Sequence, residues 1–149
     1  MKKILIAIIT FLCLPIYCLA ADYDIKHFYI DATLKENGDM EVAELIVLDG
    51  TFNGYERDIV YESDYSNYNA SNIENLSISA KYVSSVSFDT FNEVFDTFSE
   101  VDYANNGTMS KYVLTNLGNG LRVRMYYATD NDKTGFLIKY TLKDVGIPV

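Results

Sequence analysis

The sequence predicts a mainly β domain, an antiparallel β-sandwich-like fold with one helical insertion near residues 90–101. Three observations carry that reading. Apolar residues alternate with a period of two over residues 24–35 and again over 40–48; Asn37-Gly38 lies between those runs; and after Ser87 the spacing of apolar residues changes to a helical one.

The first segment precedes the domain. Met1-Lys2-Lys3 is a basic start, residues 4–14 are an apolar run, and Cys18-Leu19-Ala20 is a small-x-small cleavage pattern before Ala21. Residues 1–20 are therefore expected to be a signal peptide and 21–149 one domain. Pro15 interrupts the apolar run, which is shorter than the roughly 20 residues that span a bilayer. Bulky Tyr17 precedes Cys18 where a lipidation site wants a small residue.

Residues 24–35 place Phe28, Ile30, Ala32 and Leu34 on one face and His27, Tyr29, Asp31 and Thr33 on the other, as in a half-buried strand. Asn37-Gly38 signals a hairpin, because both residues tolerate positive φ. A two-residue turn would set Glu36 against Asp39 and Asp31 against Glu44, and like charges directly opposite destabilise. A three-residue loop with Gly38 left-handed instead pairs Lys35 with Asp39, Leu34 with Met40, Ala32 with Val42 and Phe28 with Ile46. That register carries Glu44 onto the apolar face beside Ile30. A buried carboxylate needs a partner, and Arg57, the next basic residue along the chain, is expected to supply it.

Residues 51–59 read as a turn followed by a short segment, 63–71 as a polar loop and 73–83 as a strand. Phe88, Phe91, Phe95 and Phe98 fall on one helical stripe, with Thr90 and Glu93 spaced as a capping box. After the Asn105-Asn106-Gly107 turn come strand-like runs at 111–116, 121–128 and 135–142, the last two joined by a turn.

Composition limits function. The formal charge is −9, and loss of Lys2 and Lys3 with the leader takes it to −11. Nucleic acid is an unsuitable partner, since phosphate binding needs clustered Lys and Arg. Both cysteines, Cys13 and Cys18, lie in the leader, so the mature domain has neither disulfide nor thiol nucleophile. His27 is the lone histidine and reads as a surface residue. Asp130-Asn131-Asp132-Lys133-Thr134-Gly135 begins like a calcium loop. Position twelve is Thr141 rather than the required Glu, so Asp130 and Asp132 are weak metal candidates and a hairpin turn explains them better. No cofactor is expected. Glycosylation sequons start at Asn69, Asn75 and Asn106.

Three stretches share an order and spacing with a known family: Ala21-Asp22-Tyr23-Asp24-Ile25, Glu36-Asn37-Gly38-Asp39-Met40-Glu41-Val42-Ala43-Glu44, and Phe52-Asn53-Gly54-Tyr55-Glu56-Arg57-Asp58-Ile59. Together they resemble the N-terminal extracytoplasmic domain of the DUF2207 family, predicted bacterial membrane proteins without an assigned biochemical function. Residues 121–142 also look like that family's closing hairpin. The resemblance implies a β-rich ectodomain followed by transmembrane helices and brings no catalytic residues. This chain stops at Gly146-Ile147-Pro148-Val149, as a truncated relative, a stand-alone copy or a fragment would.

The expectation is an exported, non-catalytic cell-envelope domain that binds a protein or a wall component. It would meet the membrane only through spans beyond Val149 or an uncleaved leader. Two rivals remain: an envelope hydrolase using paired carboxylates, and a calcium-dependent adhesion domain.

Overall fold

A computed structural model describes residues 22–63 and 69–145. The leader therefore lies outside the described residues, as does the middle of the 63–71 loop. Strands β1 (Asp22–Leu34) and β2 (Met40–Val60) form the expected hairpin in the expected register, with Leu34 opposite Met40, Ala32 opposite Val42, Ile30 opposite Glu44 and Phe28 opposite Ile46. Gly38 takes φ 85°, and the Lys35 amide donates to the Asp39 carbonyl at 2.8 Å. Apolar residues stand opposite apolar ones as expected, but the charges pair otherwise than Lys35 with Asp39: Lys35 binds Glu41 at 2.6 Å and Asp39 binds Lys143.

The remaining strands are β3 (Asn72–Tyr82), β4 (Asp96–Thr97), β5 (Ser99–Glu100), β6 (Lys111–Asn116) and β7 (Gly120–Lys143). Among the described residues all seven belong to one sheet in the order β1-β2-β7-β3-β4, with β6 on β7 and β5 on β6. Every pairing is antiparallel except β5 with β6. The protein is mainly β, built on one continuous sheet.

Two expected boundaries are corrected. Residues 51–59 are not a turn and a separate segment but the second half of β2, and residues 121–128 and 135–142 are not two strands but one, β7. The turn-forming residues sit instead where both long strands bend. The β2 ladder is irregular between Gly50 and Phe52 and again between Phe52 and Gly54, and opposite them Asn131 adopts φ 57°. At Gly54, with φ 151°, a Cβ would lie 1.9 Å from the Met125 carbonyl oxygen. Only glycine permits that approach. The bend is large: residues 44 and 57 would stand about 43 Å apart in a straight strand, yet their side chains are 2.7 Å apart.

The fold-over creates the main core. Val42, Ile46 and Leu48 from the first half of β2 share it with Ile59 from the second half, and Val123 and Met125 from the start of β7 share it with Phe136 and Ile138 from its end. A smaller cluster of Leu45, Val47 and Leu137 on the opposite face is covered by Val83 and Phe91.

The helical insertion near residues 90–101 is not seen. A 3-10 turn at Phe88–Asn92 is followed directly by β4 and β5. The Ser87 amide donates to Thr90 Oγ1 at 3.1 Å, while Glu93 pairs with Lys81 rather than closing a capping box. The physical reason is local. Phe, Thr, Asn, Asp, Ser and Val rank low in helix propensity, and the phenylalanines gain more by dividing between cores. Phe91 joins the smaller cluster and Phe98 the larger, whereas Phe88 stays 55% exposed. Among the described residues no helix is long and apolar enough to cross a membrane.

Candidate functional site

Glu44 and Arg57 meet. Arg57 donates through Nε to Glu44 Oε2 at 2.7 Å and through Nη2 to Oε1 at 3.1 Å, the two-pronged geometry a guanidinium offers a carboxylate. Glu44 is 3% exposed and Arg57 30%. The Tyr140 hydroxyl donates to Oε1 at 2.9 Å, so the buried carboxylate accepts three hydrogen bonds. Hydrogen bonding to Glu44 raises the Arg57 pKa further. Burial, then the charge of Glu44, pushes the Tyr140 phenol well above its ordinary value. Charge neutralisation and full satisfaction of the carboxylate mark this as a structural clasp holding the folded-over half of β2 on the first half.

Arg57 also stands over the Phe28 ring, 5.5 Å from its centroid. That contact leads to a row of half-exposed apolar side chains. On β1 the alternation is as expected but the burial is not: Ile25 is 58% exposed, Phe28 50%, Ile30 53% and Leu34 48%. These side chains continue the core face of the sheet beyond the layer that should cover it. The opposite face of β1 is better held. The His27 ring stacks on Tyr29 at 5.6 Å, Tyr29 Oη lies 3.3 Å from His27 Nδ1, and Tyr29 meets Phe88 edge-on.

β1 is also the sheet's edge. Its residues other than Lys26 pair with β2 on one side, and among the described residues nothing pairs with the other side. The second half of β2 is likewise paired only by β7, but it carries the charges that protect an edge: Glu56, Arg57 and Asp58 lie in sequence, and Arg57 Nη1 donates to the Asp58 carbonyl at 3.1 Å. On β1 the charges sit to either side of the centre: Lys26 pairs with Asp24 at 2.8 Å, and within 27–31 Asp31 is the one charged residue beside His27.

Other polar groups are engaged locally. Arg122 binds Asp58 through two bonds of 2.7 and 2.8 Å, and Arg124 binds Glu56 at 2.6 Å, which satisfies these acids across the β2–β7 ladder. A groove of about 680 Å³ opens at the bend between Phe52, Gly54, Tyr55 and Arg124. Asp39, buried at the hairpin loop, accepts from Lys143 Nζ and from Asn37 Nδ2 at 2.8 Å. Asp130 and Asp132 sit where β7 bends, not in a hairpin turn, with Asp132 paired opposite Gly50. Among the described residues no three His, Cys, Asp or Glu side chains converge as a metal site. Of the sequon residues, Asn75 has φ 55° and donates to Thr141 Oγ1 at 3.2 Å, and Asn69 Oδ1 accepts from the Ser63 amide.

Sequence reasoning missed Tyr140 and the exposure of β1. Tyr140 lies opposite Val42, one same-face position from Glu44, in the β2–β7 ladder, which no short-range signal fixes. No family model matches this chain, nor does any curated protein or solved structure.

Proposed function

We propose that this is a non-catalytic module of the cell envelope that binds a protein partner by taking an extended strand along β1. The observation that carries the reading is the 13-residue open edge whose core-side face leaves Ile25, Phe28, Ile30 and Leu34 about half exposed. An open edge beside a half-exposed apolar face offers main-chain hydrogen bonds for affinity and alternate side chains for specificity. Export, expected from the leader, and the resemblance to DUF2207 ectodomains support a site of action outside the cytoplasm.

The test is photo-crosslinking in the producing cell, with a benzophenone amino acid replacing Ile30 or Leu34 and, as a control, Tyr103, which is 76% exposed. The β1 positions should give one discrete adduct and the control none. Equal labelling at all three positions, or none at β1, would refute strand binding. For export, the intact mass of the recovered protein should begin at Ala21 or Asp22; a retained Met1 would overturn that part.

A further inference from the structure

We infer that the strand received by β1 is β1 of a second copy of this chain, paired antiparallel about Tyr29. This rests on reading β1 as the binding edge and names its occupant.

Residues 27–31 of β1 are self-complementary. Two copies related by a two-fold axis perpendicular to the sheet pair residues of like parity, so each same-face set meets itself. With Tyr29 at the centre, Phe28 of each copy lies opposite Ile30 of the other, and His27 lies opposite Asp31. Both matches occur twice by symmetry. The first sets two half-exposed apolar side chains together, and the second gives the Asp31 carboxylate a ring N–H from His27. Tyr29 faces Tyr29, with the 55%-exposed Phe88 beside each ring.

Neighbouring registers do worse. Centring on Phe28 sets Ile30 against Lys26, where the β1 ladder is already irregular between Ile25 and His27. Centring on Ile30 sets Phe28 against Ala32 and the phenol of Tyr29 against Asp31. Centring on Asp31 opposes two carboxylates. The Tyr29 register gives a regular ladder over residues 27–31 that ends at the irregularity, so the bulge limits the pairing to a closed dimer seam.

The experiment uses the exported chain as recovered. Sedimentation equilibrium should give a dimer, and Ile30→Lys should raise its dissociation constant more than about tenfold. Ile30 is 53% exposed, so that variant should keep the wild-type circular dichroism and still unfold cooperatively, melting no higher than the wild-type dimer. Register is read separately: opposed strand residues lie within disulfide reach. A mixture of Phe28→Cys and Ile30→Cys chains should join through a disulfide between positions 28 and 30, mapped by mass spectrometry, and neither chain should join to itself. A self-linked Ile30→Cys chain would overturn the register. A monomer at every concentration, with no mixed disulfide, would overturn the second copy as occupant. In that event a β1 photo-adduct to a different protein would still uphold strand binding, whereas no adduct would remove both.

Discussion

Glu44 shows how much one register decides. Apolar pairing and the avoidance of opposed like charges around Asn37-Gly38 set the hairpin loop, the loop sets Glu44 opposite Ile30, and a carboxylate there requires a donor. The Glu44–Arg57 pair was legible in the sequence because the residues that set it lie close together along the chain. Tyr140 was not, since it reaches Glu44 across 96 positions and only after β7 has paired with β2. Removing one partner of the clasp leaves the other charged in an apolar layer. Glu44→Gln or Arg57→Met should therefore each cost about 3 kcal/mol, the lower end for a buried pair because Arg57 is 30% exposed. The double variant should lose much less than the sum in a urea-unfolding cycle; additive, small losses would mean that the pair is idle. Thr134 offers the opposite case. Its Oγ1 is buried with no hydrogen-bond partner among the described residues, so Thr134→Val, which keeps the branched shape, should raise the urea midpoint by the equivalent of about 1 kcal/mol.

Among the elements, β1 shows in the sequence as alternation and β3 and β6 as strand-like runs, whereas the sequence divides each of the two longest strands into two pieces. Gly50, Gly54 and the Asp130-Asn131-Asp132 run carry the composition of turns, and composition cannot distinguish a turn that ends a strand from a bend within one. Ladder pairing on both sides of the bend decides it, and that is non-local. The helix failed for the reverse reason. Its phenylalanine spacing was regular by coincidence, while the low-propensity residues between obeyed the competing pairing of β4 with β3. Gly54→Ala should test the bend. Its Cβ has no room beside Met125, so the loss should exceed about 3 kcal/mol. Gly38→Ala meets nothing within 4 Å and should cost only about 1 kcal/mol, from its φ of +85°. Equal urea midpoints for the two variants would contradict a strained bend at residue 54.

For the molecule as a whole, charge pairing at the strand ends and buried phenols set the pH range of stability. Hydrogen bonds from Lys143 and Arg122 hold the Asp39 and Asp58 carboxyls below their ordinary value of 3.8. Their contribution is present above that value and is lost as the pH falls through and below it. Burial pushes the Tyr127 phenol up to about 12. Unfolded tyrosine ionises near pH 10, so this contribution is complete below about pH 10 and is lost as the pH rises toward 12. Urea midpoints should accordingly fall at both extremes; a flat profile from pH 10 to 12 would place Tyr127 in water.

The same sheet that buries these groups leaves β1 open for pairing with a second copy. Amide hydrogen exchange across a concentration series measures it most directly. In a dilute monomer the amides of residues 27–31 that point away from β2 have no partner and should exchange rapidly. At high concentration they should slow by more than about tenfold while the amides bonded to β2 hold their rates. Outward amides that exchange at the same fast rate across the whole series would contradict a β1–β1 seam.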